Sequence, residues 1–532
     1  MVVGLIAGAS AAVSLVVIWH QRTLGTYDPD ESGYLATALR YQRVVDPHVL
    51  LAVPRAVRAT VSGPLVPLLS VVTLVIGPRD PRSAMAIQPV LMVVTAVSAA
   101  GITRRLARPA VAIMAGALVA GVPTMLLASE SYWLGLGAAA AMAVTVWALL
   151  ASDRLGNRWT WAFGVGLAAL MLARTMTLGF LPGIVAAGVY LAWGDRRRLL
   201  RLTGALAVAA AIAAPWWILQ RHAIFGYLFG YGYGARATRF GSGDAVVRFV
   251  ERTVVLSLDA GLPLPLLIPL GVVAWWRRRS WWAARRTSPG NEVMALMVIV
   301  GAGVVALAST SNMGVWFDLP LVVLTVPVVL ALLQRSPRRL QVVLFAWVGL
   351  VALGAPIVVR ALGVLHYDTD IGRYDARFDR DRPGDHAVAA RQWWSVDRRV
   401  TGELARLTGR GTTGIITMTG NSYLFNSNTI ALAAELDLWN PTLEVPDTTV
   451  PAPGLSRYLT RSSDQLRRGG IPKERILVVV RQAHEVFTPD TQWRALDRAA
   501  RHAGWSTVAT FPLPSGGEVA ILRFEPPVHT HA

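Results

Sequence analysis

Three carboxylates crowd into four positions at Asp28-Pro29-Asp30-Glu31-Ser32-Gly33-Tyr34, a cluster of residue types that could do chemistry. A positioned carboxylate can take a proton from a hydroxyl, and its hard oxygens can help hold a divalent cation. The stretch also has a plainer reading. Asp28 as N-cap, Pro29 as first helical residue and Glu31 in the first turn make a strong helix start, with negative charge favoured at the N-terminal end. The two readings are compatible, because a helix N-terminus holds a carboxylate in fixed geometry. Further along, Glu130, Arg174, Asp259 and Asp318 stand at the ends of long apolar runs. Ionisable residues there are either ordinary helix ends or parts of one polar cavity. From Gln220 to Arg239, glycines and aromatics, among them Tyr231 and Tyr233, alternate with Arg221, Arg236 and Arg239. Such a segment can offer ring surfaces and anion contacts, or serve as an interfacial aromatic loop with surface arginines.

These residues need elements to position them, and the composition says of what kind. The chain has 532 residues, of which 54% are hydrophobic and 16% charged, too apolar for a soluble globule of this size. Apolar runs of about 20 residues, enough to cross about 30 Å of hydrocarbon, recur from Met1 to Leu362 and then stop. The formal charge of +19 comes from arginines that lie mostly in short loops between those runs. This is the distribution of cytoplasmic membrane loops, so nucleic acid is set aside as a partner. With no cysteine, disulfides, thiolate metal sites and cysteine nucleophiles are excluded. Met1 to His20 lacks a basic start and a small-residue cleavage site, which fits a retained first helix. No GxGxxG or Walker pattern is present.

Topology turns on Ser62 to Gly77. This segment is short for a span and carries Pro64 and Pro67 near its start, where missing amide donors cannot be replaced by water. Read as a juxtamembrane or re-entrant helix, it places five successive arginine clusters, from Arg104/Arg105/Arg108 to Arg335/Arg338/Arg339, on the cytoplasmic side. The expected architecture is a polytopic α-helical membrane protein with about eleven transmembrane helices, at roughly 2–20, 84–102, 109–128, 132–150, 159–175, 177–193, 201–219, 254–275, 293–309, 318–333 and 340–361. Residues 1–362 form the transmembrane domain, with external loops 21–83 and 220–253. Residues 363–532 alternate β-type runs with helical stretches and read as an extracytoplasmic α/β domain. The N-terminus is then cytoplasmic, and the protein is a multi-pass protein of the cell membrane.

The order of these pieces resembles the GT-C superfamily of membrane glycosyltransferases, and in particular the branch of protein O-mannosyltransferases and lipid A aminoarabinose transferases. The matching residues are Asp30-Glu31 with Tyr34, Gly63-Pro64-Leu65 with Pro67, Ser129-Glu130, and Leu172-Ala173-Arg174 leading to Leu181-Pro182. They cover roughly residues 1–220. A basic residue common beside the prolines of the family is absent from Ser62-Gly63-Pro64; Arg55 or Arg58 could stand in for it.

The resemblance implies transfer of a sugar from a polyprenyl-phosphate donor to an acceptor hydroxyl outside the cytoplasm, with inversion. Asp30 is then the general base, with Glu31 and Asp28 supporting it. Arg174, Arg236 and Arg239 meet the phosphate of the leaving group, and Tyr34, Glu130, Tyr231 and Tyr233 line the substrate. Metal use stays open: Mg or Mn on Asp28, Asp30 and Glu130 is the arrangement to expect if a cation takes part. The acceptor can be lipid, glycan or protein. The rival readings are a transporter or lipid flippase with an accessory outer domain, against which the charges gather at one edge and not at the midplane, and a noncatalytic scaffold of GT-C shape.

The orientation predicts that Arg104→Cys, in this cysteine-free chain, escapes a membrane-impermeant maleimide applied to intact cells. Labelling from outside would reverse the reading of residues 62–77.

Overall fold

Hydrocarbon offers no hydrogen bonds, so a chain that enters it must satisfy its own backbone, and long helices are the simplest way to do so. The structure, a computed structural model, describes residues 1–22, 29–45, 62–233, 244–262, 288–310, 312, 316–334, 338–362, 367–369, 374–376, 385–408, 416–419, 425, 427–438, 476–481, 491–514 and 516–524. Its helices are α1 Val2–Gln21, α2 Pro29–Val45, α3 Leu65–Ile76, α4 Pro81–Met85, α5 Ile87–Leu106, α6 Pro109–Gly121, α7 Pro123–Ser129, α8 Leu134–Ala151, α9 Trp159–Ala173, α10 Leu181–Ala192, α11 Arg196–Tyr227, α12 Ala245–Asp259, α13 Ser288–Ser309, α14 Leu319–Leu333, α15 Arg338–Leu362, α16 Asp385–Thr408, α17 Ser427–Ala433 and α18 Thr491–His502.

Among the described residues six helical stretches are long and apolar enough to cross a membrane, and a seventh is formed if α6 and α7, bent by 57° at Val122, count as one span. The protein is therefore a multi-pass membrane protein. Helix α3, of twelve residues, is about 18 Å long and falls short of the hydrocarbon thickness. Two expectations shift. The segment from Gln220, read as a loop, continues α11 to Tyr227 and then a π turn, Leu228–Tyr233. The eighth span, expected from 254, begins as a helix at Ala245, where the Asp244 carboxylate accepts from the amides of Val246 and Val247 at 2.9 and 2.8 Å. It ends at Asp259, with Gly261 at φ +66° just beyond; residues 263–275 of that expected span lie outside the described residues.

The chain forms two units, one of residues 1–19, 47–73 and 85–380, the other of 20–46, 74–84 and 381–532. In the first, α14 is apolar and buried all round, as befits a helix inside a bundle. It packs on α5, α6 and α8. Small residues bring the other helices together: a Cβ on Gly164 of α9 would lie 2.6 Å from the Ala205 carbonyl oxygen of α11.

The second unit centres on a four-stranded sheet of order β3-β4-β6-β5, built from β3 Ile416–Thr419, β4 Ile476–Arg481, β5 Trp505–Pro512 and β6 Glu518–Phe524. The first unit carries the small antiparallel pair β1 Tyr367–Thr369 and β2 Tyr374–Ala376. In the four-stranded sheet, β3 and β4 are parallel and the remaining pairs antiparallel. One face packs on Trp393, Val396, Val400 and Leu404 of α16, residues at helical spacing. The other packs on Ala500 of α18, with Trp505 and Phe524. Strand β4 is buried on both faces, hence its unbroken run of Ile, Leu and Val.

Asp397 of α16 is buried beside this core, and its Oδ1 accepts from the Thr429 hydroxyl at 2.7 Å. Burial pushes its carboxyl well above the usual carboxylate range, against the opposing pull of the Thr429 hydrogen bond. The folded pKa thus exceeds the unfolded one. The stability this group contributes is full below about pH 4 and is lost as pH rises through the folded value. Asp397→Asn should remove that loss, so the thermal midpoint of the detergent-purified full-length variant should gain on wild type as pH rises from about 4 to 8. A gap that does not change with pH would contradict this.

Candidate functional site

Helix α9 stops at Arg174 because the backbone there turns extended, at φ −163° and ψ 144°. The Thr177 hydroxyl secures the break by donating to the carbonyls of Leu170 and Arg174, both at 2.7 Å. The Arg174 guanidinium lies 4.2 Å from the centroid of the Phe317 ring, within cation–π range. Its Nη1 has no hydrogen-bond partner among the described residues. Gly63 presses on the carbonyls of Leu172 and Ala173 so closely that a Cβ would collide with both. Two pieces singled out in the sequence, Gly63-Pro64 and Leu172-Ala173-Arg174, thus adjoin.

The third piece, Ser129-Glu130, lies at the end of α7. Glu130 is buried, and Ser129 Oγ is 2.8 Å from Ser14 Oγ of α1. Two residues on, the Tyr132 hydroxyl meets Ser70 Oγ of α3 at 2.5 Å. The next carbonyl, of Trp133, accepts from Gln88 Nε2 at 3.0 Å. The Trp133 ring stands edge-on to Trp316, with centroids 5.3 Å apart. Trp316 has φ +61°, a conformation that costs an aromatic residue on the order of 1–3 kcal/mol. The crowding that holds it includes Gly135, where a Cβ would come within 3.0 Å of the Trp316 Cβ. This strained turn delivers Phe317 under Arg174 and Asp318 to the start of α14.

Asp318 and Asp259 come together, their side chains hydrogen-bonded to each other, with the charge of Arg252 acting on Asp259. The Thr124 hydroxyl donates to Asp259 at 3.0 Å. Arg252 is only 1% exposed and donates from Nη2 to the Asn312 carbonyl at 2.7 Å. One turn earlier, Arg248 Nε donates to the Ala308 carbonyl at 3.0 Å, serving the C-terminal end of α13. Arg252 is the residue that sequence reasoning missed. Its signal was present: Arg248, Arg252 and Asp259 fall on one face of α12, while Val246, Phe249 and Val250 are exposed on another.

The remaining expected site residues are distributed as follows. Asp30 is exposed in the first turn of α2, Glu31 is buried and ion-paired with Arg22, and Tyr34 is half-buried. These belong to the second unit, whereas Glu130, Arg174, Asp259 and Asp318 belong to the first. Tyr233 is exposed, with its hydroxyl 3.3 Å from Ser309 Oγ. Asp28, Arg55, Arg58, Arg236 and Arg239, and the side chain of Tyr231, lie outside the described residues. Among the described residues no three His, Cys, Asp or Glu side chains are placed to hold a metal ion.

The chain shares its fold with solved membrane proteins of the GT-C superfamily. The likeness is to ArnT from Cupriavidus metallidurans, solved bound to undecaprenyl phosphate, at TM-score 0.57 and 12% identity over 97% of each chain. The oligosaccharyltransferase AglB from Archaeoglobus fulgidus, solved with an inhibitory peptide and a dolichol-phosphate, is similar at TM-score 0.50 and 13% identity, covering 97% of this chain and 73% of that one. Another structure of the Archaeoglobus enzyme is a complex with Zn and sulfate, with TM-score 0.50, 13% identity and coverage of 97% and 72%. No protein-family model and no curated protein matches the chain.

If Arg252 compensates the Asp259–Asp318 pair, Arg252→Met should destabilise the detergent-purified protein by about 3–5 kcal/mol, the range for stranding a buried charge. Asp259→Asn in the same chain should recover part of it. Equal losses with and without Asp259→Asn would show that the two residues are not coupled.

Proposed function

We propose that the protein is a polyprenyl-phosphate-dependent membrane glycosyltransferase that moves a sugar to an acceptor hydroxyl on the outer face of the membrane. What carries the reading is the likeness to ArnT over 97% of both chains. The adjoining of Gly63-Pro64 with Leu172-Ala173-Arg174 supports it from within the chain. The proposal includes eleven spans, a cytoplasmic N-terminus and an extracytoplasmic C-terminal segment.

Asp30 takes the proton of the acceptor hydroxyl as its oxygen attacks the anomeric carbon from the face opposite the phosphate. The bond from that carbon to the phosphate oxygen breaks, the configuration inverts, and the polyprenyl phosphate leaves with both electrons. Charge that grows on the phosphate must be met by fixed cations; Arg174, Arg236 and Arg239 are assigned to this. Glu31, paired with Arg22, holds the first turn of α2, which also carries the exposed Asp30. Tyr34, Glu130, Tyr231 and Tyr233 are assigned to the substrates. A divalent cation on the hard oxygens of Asp28 or Asp30 would add positive charge beside the phosphate.

In membranes from a deletion strain carrying the variant, with their own lipid-linked sugars as donor, Asp30→Asn should abolish transfer at unchanged protein level. Lipid-linked sugar should accumulate and the envelope glycans lose the residue. Undiminished transfer by Asp30→Asn would remove Asp30 as the base.

A further inference from the structure

Helix α2, which carries Asp30, packs on α17 and on the π turn that follows it, Ala434–Leu438. All of these belong to the second unit. A π turn widens the helix and disturbs its regular ladder of hydrogen bonds, a distortion often found at functional sites. Here two arginines take both kinds of oxygen that one residue of the turn presents. Glu435, 1% exposed, accepts at its carboxylate from Arg40 Nε at 3.3 Å and at its carbonyl from Arg79 Nη2 at 3.0 Å. Arg40 lies on α2, and Arg79 lies in the turn before α4.

The turn is tied in its own right to α16. Asp437 pairs with Arg398 at 2.6 Å, and Thr429 of α17 donates to Asp397 at 2.7 Å. The chain of contacts therefore runs from the sheet through α16 and the π turn to α2. Nearer Asp30, the approach is close enough to exclude a side chain: a Cβ on Gly33 would come within 3.0 Å of Asn428 Cγ. Gly33 lies three residues from Asp30 on the same helix, so they are neighbours along one face. A shift of the contact at one moves the other.

We propose that the C-terminal segment is a working part of the transfer machinery, with Arg40, Arg79 and Glu435 as positioning residues that seat α2, and with it Asp30, on α17 and its π turn. This rests on the assignment of Asp30 as base. A carboxylate that must reach an acceptor proton within a few tenths of an ångström depends on a supporting shell of this kind.

The chain has no cysteine, so Gly33→Cys with Asn428→Cys tests the seating in the full-length protein. The two positions are close enough for a disulfide, and oxidation should join them within one chain in native membranes, with loss of maleimide labelling. Arg40→Ala and Glu435→Ala should each lower transfer by on the order of tenfold to a hundredfold, the scale of a small misplacement at a reacting group. The disulfide, added to Arg40→Ala, should restore transfer, and dithiothreitol should remove it again at constant protein level. A role in folding alone would not give an activity that is redox-reversible. Two free, labelled cysteines, or a disulfide that forms without restoring transfer, would overturn the proposal. The two readings fail separately. Full transfer by Asp30→Asn alongside a working disulfide rescue sinks the base and keeps the seating; loss by Asp30→Asn without rescue does the reverse.

Discussion

Within a membrane bundle a charged side chain must find in protein the partners that water would have supplied, and the first unit is arranged around that requirement. Its helix interiors are mostly apolar and small, and most of its buried ionisable groups stand near helix ends, with Arg252 inside α12 as an exception. Arg252 has the Asn312 carbonyl and the Asp259–Asp318 pair. Arg105, at the last turn of α5, is met by Glu292 at 2.8 Å and Asp153 at 2.9 Å. Satisfying such groups demands irregular backbone, and the irregularities cluster accordingly: the bend between α6 and α7, the extended residue Arg174, and the left-handed Trp316. Close approaches at Gly63 and Gly135 hold the second and third of these in place.

Much of this could be read in the chain before any coordinates. Hydropathy placed most of the apolar helices to within a few residues, because about 20 apolar residues in a row have few other uses, but it ended α11 too early and began α12 too late. Two prolines near its start and its length marked α3 as too short to span. The strands of the tail were legible from their β-branched runs. What escaped depended on distance or on local conflict. The helical continuation through Gly226, Gly230 and Gly232 was hidden because glycine argues against helix until packing overrides it. Arg252 was hidden in a stretch whose exposed valines and phenylalanine suggested a loop edge, since a lipid-facing surface reverses the usual meaning of an exposed apolar residue. The union of α2 with the tail left no periodic trace, because Arg40 and Glu435 are 395 positions apart. A boundary at 362 follows hydropathy along the chain, whereas the units follow contact.

That separation has a consequence for how the protein is made. Leu35, Leu39 and Tyr41 of α2 are buried in the finished molecule, yet α17 and its π turn are synthesised nearly 400 residues later. At roughly 5–20 residues per second the ribosome needs on the order of 20–80 seconds to cover the 395 positions from Arg40 to Glu435. For that interval the helix has its apolar face uncovered and its arginine without Glu435. A chain that ends short of residue 435 therefore carries α2 with its apolar face uncovered and Arg40 without its carboxylate partner.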